Sequence, residues 1–411
     1  MSAAQLNTVE QSLEQRQMTW LNVTGCPRSG TTALGSALNK SRSIALLHEH
    51  YPKDLFDALD ILFKNQAFHS SLGSFEAYAD SIIVRDRDLF PIIESIYSIV
   101  FKKSATIVGT KFPGLQRWEK VRYPTGLEVR EINIVRNPID VVNSYTTKGD
   151  GTVSEDPERA FCDWLHSFNY AVSEHTRERF LWVLYEDFRR NQNSSIAQQV
   201  ADFLRVEADF DLAEMGASER LPAPKFLGAP TGQKTFDVIS RLFDVADWRS
   251  DATAKIKAGK LVGYTLAQSE CIDLTAEGNG WKYIYDGFYA PEADGSWTRG
   301  EVATICFTPE QAFSGSLHTT LEVSWGLTIQ DIGTRFSVYL DDQLIGKTSL
   351  NLNKSNGGSN LVVFHATDIQ QRSASITLRI VIDNPRNPAT LGVSADNREL
   401  GLMIRSIAFE A

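Results

Sequence analysis

Short apolar runs separated by amphipathic stretches fill the first roughly 250 residues. Trp20 to Thr24 is a strand-like run leading into a glycine-bounded loop, and Thr31 to Asn39 sets Leu34 and Leu38 on one helical face. Ile44 to Leu47, Ala105 to Val108, Glu131 to Val135 and Phe180 to Leu184 read as further buried strands. Each ends in polar residues: His48-Glu49-His50, Thr110-Lys111, Arg136 and Tyr185-Glu186-Asp187. Strands alternating with helices predict βαβ units and a parallel sheet. In open sheets of this kind ligands bind past the carboxyl ends of the strands, where these polar residues fall.

The period changes from about Gly278 onward. Leu321 to Trp325 and Arg335 to Leu340 alternate apolar with polar residues, and Ser375 to Ile382 gives a further strand. Asp341-Asp342 and Asn356 to Asn360 supply turns. This half predicts an antiparallel β-sandwich. The pattern divides the chain into an α/β domain over 1–260 and a sandwich over 275–411, with the weakly patterned Asp251 to Glu277 between them.

With 411 residues, each half can bury its own core. A net charge of −10 argues against a nucleic-acid surface, so an anionic ligand needs a local basic pocket. Met1 to Gln17 lacks the apolar core of a secretion signal. No run approaches the roughly 18 apolar residues of a membrane span. Cys26, Cys162, Cys271 and Cys306 form no CxxC pair and read as reduced thiols, which points to a cytoplasmic protein.

The chemistry concentrates in Gly25-Cys26-Pro27-Arg28-Ser29-Gly30-Thr31-Thr32. A glycine-bounded loop opening a helix turns backbone N–H groups toward a phosphate, and the helix dipole favours the charge. The glycine spacing is that of a Walker A loop, but Thr31 stands where a nucleotide triphosphatase places lysine. That lysine would neutralise β- and γ-phosphates, so its loss points to a donor without Mg-triphosphate geometry. A second cluster runs from Arg136 to Ser144, Arg-Asn-Pro-Ile-Asp-Val-Val-Asn-Ser. Here Arg136 ends a strand, Pro138 takes an early helix position, and Ser144 lies about two turns on. Arg136 and Ser144 can converge on one anion; alone, the pair reads equally well as a salt-bridged arginine and a solvent-facing serine.

Together the two motifs resemble the nucleotide signatures of sulfotransferases that use 3′-phosphoadenosine 5′-phosphosulfate (PAPS). Val108 to Pro113, with Lys111 before Pro113, and Leu184 to Phe188 are similar to that family's third-strand and "YEDL" segments. The resemblance covers roughly residues 18 to 200. It implies a P-loop fold in which Arg28, Ser29, Gly30, Thr31 and Thr32 bind the 5′-phosphosulfate and Arg136 and Ser144 the 3′-phosphate. PAPS is then the donor, 3′-phosphoadenosine 5′-phosphate (PAP) the product, and no metal is required. The family's glycine-rich C-terminal loop is not found; Gly228 to Lys234 falls about where it would lie and reads better as a plain surface loop.

Transfer to a hydroxyl needs a base, and glycan sulfotransferases tend to carry a glutamate in this region, which makes Glu49 the first choice and His48 the second. Against both stands a reading in which Glu49 pairs with Arg28 or Lys53. Lys111 either steadies the transferring group or pairs with an acidic neighbour. In the sandwich, Gly287 to Trp297 and Asn387 to Gly401 resemble accessory domains beside bacterial polysaccharide-modifying enzymes. Trp281, Trp297 and Trp325 are either core or sugar-stacking, and Asp396 and Arg398 are open to simple mutual pairing. The expected activity is sulfuryl transfer from PAPS to a hydroxyl of a bacterial surface glycan or its lipid-linked precursor, with the sandwich available for homo-oligomerisation. A P-loop kinase, or a non-catalytic glycan-binding or assembly protein, is the alternative.

Overall fold

β1 (Thr19–Gly25) is apolar or small at nearly every position, and all seven of its residues are buried. Such a strand has no solvent face, as expected in the middle of a parallel sheet covered on both sides. The computed structural model describes residues 18–49, 105–114, 127–148, 155–189, 193–212, 224–326, 333–350, 360–370, 375–392 and 394–410, together with residues 93, 97, 98, 100, 101, 103, 123 and 215. The chain divides into two compact units, Met1–Ala258 and Gly259–Ala411.

In the first unit β1 is followed by α1 (Thr31–Leu38), β2 (Ile44–His48), β3 (Ile107–Lys111) and β4 (Glu128–Val135). Next come α2 (Pro138–Lys148), α3 (Pro157–Glu174), β5 (Phe180–Leu184), α4 (Asn193–Leu204), α5 (Gly232–Leu242) and α6 (Trp248–Ala258). The five strands are parallel in the order β2-β3-β1-β4-β5. Alternate residues sort the core by face. Leu21, Val23, Ile132 and Ile134 pack with Leu34 and Leu38 of α1 and Val200 and Leu204 of α4. Trp20, Ala45 and Val108 pack on the opposite face with Ile93 and Tyr97.

The chain leaves β1 toward β2 on one side and leaves β4 toward β5 on the other. The carboxyl ends of β1 and β4 therefore flank the crevice of an open α/β sheet. The tip of β4 is held from behind by Trp164 of α3, whose Nε1 donates to the carbonyl of Arg136 at 2.7 Å. Trp164 is itself wedged by Phe168, Phe243 and Trp248, with ring centroids 5.1–5.5 Å away.

Two local expectations change. β3 starts two residues later than its apolar run and takes in Thr110 and Lys111, which pair with Asn22 and Val23 of β1. Neighbouring strands on both sides give these polar residues backbone partners, which side-chain polarity does not reveal. Gly228 to Lys234 is not a plain loop: it joins a 3₁₀ turn, Lys225–Gly228, to the start of α5. The Thr231 hydroxyl there donates to Asp156 at 2.6 Å. No helix among the described residues is long and apolar enough to cross a membrane.

The second unit comprises β6 (Tyr264–Leu266), β7 (Ile272–Asp273), β8 (Ile284–Asp286), β9 (Ser296–Arg299), β10 (Val302–Pro309) and β11 (Ser314–Gly326). β12 (Thr334–Leu340), β13 (Gln343–Leu350), β14 (Asn360–Gln370), β15 (Ile376–Ile382) and β16 (Leu400–Glu410) complete it. One sheet runs β13-β12-β15-β10-β6 with β8 beside β10, the other β14-β11-β16-β7 with β9 beside β16. Pairing is antiparallel except between β6 and β10. β6 and β7 come from the stretch where the sequence pattern is weak; with three and two residues they are too short to show a period. Asp341-Asp342 turns β12 into β13, and residues 356–359 lie outside the described residues. Trp281 and Trp297 are half-buried, while the Trp325 side chain is outside the described set. Asp396 and Arg398 do pair, at 2.8 Å, and Arg398 also reaches Glu292 at 2.9 Å.

Candidate functional site

The loop after β1 is shaped by backbone that few side chains tolerate. Gly25 has φ 145°, Arg28 φ 71° and Gly30 φ 99°. Among the described residues only four non-glycines have positive φ, and two of them, Arg28 and Glu49, belong to the residues singled out by the sequence. Conformations of this kind cost about 1–3 kcal/mol and persist where the surroundings enforce them, often at functional sites. A short turn, Ser29 N–H to the Cys26 carbonyl at 3.0 Å, closes the loop, and Gly30 caps α1 with no side-chain bond to the helix's first N–H groups.

The second cluster meets the first at the β1/β4 crevice. Arg28 Nε donates to Ser144 Oγ at 3.0 Å, and Arg136 Nη1 donates to the Arg28 carbonyl at 3.0 Å. Residues more than a hundred positions apart thus form one network of two guanidinium groups and a hydroxyl. Arg136 is buried; its guanidinium lies over the Tyr185 ring at 4.4 Å and 3.6 Å from Asp140. Its Nε and the Ser29 hydroxyl are buried with no hydrogen-bond partner in the protein. Unused donors beside two cations form a cluster whose chemistry suits a multiply charged oxyanion. The structure seats the Arg28 side chain against Ser144, so it joins the pair that sequence reasoning formed from Arg136 and Ser144.

A second charged centre lies past β2 and β3. Lys111 is 1% exposed, and its ammonium donates to Thr32 Oγ1 at 3.0 Å and to Glu49 Oε1 at 2.6 Å. Both partners are sequence candidates, so Lys111 connects the loop's helix start to the base candidate. Glu49 pairs with Lys111; Lys53, the other partner considered, and His50 lie outside the described residues. The Glu49 side chain keeps 65% exposure. His48 sits beside the pair. Partial burial, and then the Lys111 charge, hold its imidazole below its usual value, with Glu49 pulling the other way. The net effect favours the neutral form of His48.

Sequence reasoning missed the residues that hold these groups. Glu186 accepts the Asn137 N–H at 2.8 Å and the Trp248 indole N–H at 3.3 Å, which fixes the turn after Arg136. Burial raises its pKa above the usual carboxylate range. Asn143 Oδ1 accepts the Lys225 N–H at 2.8 Å and tethers the 3₁₀ turn to α2. Both belong to segments already singled out, but only the fold shows what they touch.

No family model and no curated protein matches the sequence. Among solved structures the chain is similar to the sulfotransferase domain of an olefin synthase from Synechococcus PCC 7002, at 18% identity over 58% of this chain and 94% of that one, with a TM-score of 0.31. It is similar to a mouse sulfotransferase complexed with PAP, at 12% identity over 63% and 94%, TM-score 0.29. A family 35 carbohydrate-binding module from an environmental isolate is similar at 17% identity over 34% and 81%, TM-score 0.21.

Proposed function

We propose that the first unit is a sulfotransferase that moves a sulfuryl group from PAPS to a hydroxyl of a carbohydrate. One observation carries the reading: the Arg28–Ser144 and Arg136–Arg28 bonds bring both nucleotide-like motifs to one crevice, with Thr31 at the position where a triphosphatase needs lysine. The orphaned Ser29 hydroxyl and Arg136 Nε fit a terminal phosphate, and Ser144 and Arg28 complete its shell. The other end of the donor falls to Thr32 at the start of α1, where the helix dipole favours negative charge, and to Lys111 of β3, which donates to Thr32.

PAPS supplies the sulfuryl group, so the bond from sulfur to the bridging phosphate oxygen breaks as one forms from the acceptor oxygen. The bond pair leaves with the 5′-phosphate, and the acceptor proton goes to a base. Lys111 and the N–H groups of the loop face the side where charge accumulates; preformed donors of this sort are usually the largest catalytic contribution. Glu49 is the base. Lys111 donates to its carboxylate, and the same ammonium can favour the leaving oxygen as Glu49 takes up the proton. Neutral His48 stands next to it as the second acceptor.

The test is a thermal shift of the full chain with PAP and with ATP-Mg. Stabilisation by PAP alone supports the reading; stabilisation by ATP-Mg alone makes the unit a kinase, and stabilisation by neither removes the nucleotide site. Incorporation of labelled sulfate from PAPS into fractionated glycans then identifies the acceptor.

A further inference from the structure

Tyr185, the first residue after β5, has no place in the chemistry proposed above, yet three separate segments close on its ring. The guanidinium carbon of Arg136 lies 4.4 Å from the ring centroid. Gly30 meets the ring at its edge: a Cβ there would fall 2.6 Å from both Cδ2 and Cε2 of the ring. The tyrosine hydroxyl donates to the Met215 carbonyl at 2.9 Å, and the side chain is 5% exposed. The ring is thus a spacer beneath the arginine, fixed along one edge by the glycine loop and locked at its far end.

Arg136 depends on that spacer. Its direct contacts are the Arg28 carbonyl at 3.0 Å and Asp140 at 3.6 Å, and its Nε has no protein partner. A guanidinium held by one hydrogen bond and one longer ion pair can still tilt about them. A π-face beneath it fixes the plane, and plane orientation decides whether an arginine grips a phosphate through two parallel bonds. We infer that Tyr185 is a positioning residue that sets the plane of Arg136 for bidentate capture of the ligand's 3′-phosphate. This rests on the reading that Arg136 and Ser144 hold that phosphate.

The experiment measures, on the full chain, the dissociation constants of PAP and of adenosine 5′-phosphate, which lacks only the 3′-phosphate. Their ratio isolates what the 3′-phosphate contributes. Tyr185→Phe retains the ring, and its ratio is expected to stay near that of the native chain. Tyr185→Leu removes the π-face and is expected to lower the ratio about tenfold, with the affinity for adenosine 5′-phosphate changed far less. Arg136→Lys replaces the plane by a point charge, so adding Tyr185→Leu to it is expected to leave the ratio unchanged. Tyr185→Met, closer in volume, serves if the leucine variant fails to fold. Equal weakening of both ligands in a folded Tyr185→Leu or Tyr185→Met protein, or an unchanged ratio, overturns the positioning role. A native chain that binds both ligands equally refutes the 3′-phosphate assignment itself and this inference with it.

Discussion

Individual side chains divide the candidate site into two jobs, holding charge and moving a proton. Arg136→Ala removes a buried, charge-assisted contact, and PAP affinity is expected to fall by about 2–4 kcal/mol, read by calorimetry. An unchanged dissociation constant in a folded variant would place the 3′-phosphate elsewhere. Glu49→Gln keeps the shape of the carboxylate's hydrogen bond to Lys111 but cannot accept the proton. Turnover is expected to drop about 10²-fold or more while PAP affinity persists. Near-native turnover in Glu49→Gln, with loss in His48→Asn, moves the role to the imidazole. The residue identities were legible in the sequence because phosphate chemistry demands particular types at particular spacings. Their partners were not: Lys111 lies 62 positions from Glu49, and only the pairing of β2 with β3 brings the two together.

Elements deliver those side chains, and the seam between β4 and α3 carries a pH-sensitive carboxylate. Glu131 is buried mid-strand on β4, with the Tyr170 hydroxyl donating to Oε2 at 2.9 Å and Arg177 at 3.3 Å. Burial pushes its pKa from 4.5 up to about 7, against the opposing pull of Arg177 and the Tyr170 hydrogen bond. The folded value exceeds the unfolded one, so the folded state binds this proton more tightly. Its contribution to stability is complete below about pH 4.5 and is lost as pH rises toward 7. Denaturant unfolding of Glu131→Gln is expected to lack this decline, which amounts to roughly 3 kcal/mol in the native chain. Identical pH profiles for the two proteins would show that Glu131 is relaxed by water or by movement of Arg177. The five strands of the first unit were readable as apolar runs because both faces of their sheet are covered. β6 and β7 were not, since two or three residues cannot display a period, and the extension of β3 into Thr110 and Lys111 depends on neighbours the local sequence does not contain.

At the scale of the whole molecule, two units with separate cores share one chain of net charge −10. All ten candidate site residues, from Arg28 to Ser144, lie in the first, as do Tyr185, Glu186 and Trp248, which support them. The second is two sheets packed through residues such as Phe307, Val338, Leu321 and Ile404, each buried. We propose that it serves the acceptor or the assembly and takes no part in sulfuryl transfer. The boundary gives this a direct test, because α6 ends at Ala258 and the first strand of the sandwich begins at Tyr264. A fragment ending at Ala258 keeps Trp248, which both packs on Trp164 and donates to Glu186, so the turn after Arg136 retains its support. Calorimetry on this fragment is expected to give a PAP affinity within about threefold of the full chain, since contacts that do not touch a ligand rarely shift binding by more than a few tenths of a kcal/mol. Transfer to polymeric glycan is expected to fall while transfer to a short acceptor survives. A folded, soluble fragment that no longer binds PAP would show instead that the sandwich helps to build the nucleotide site.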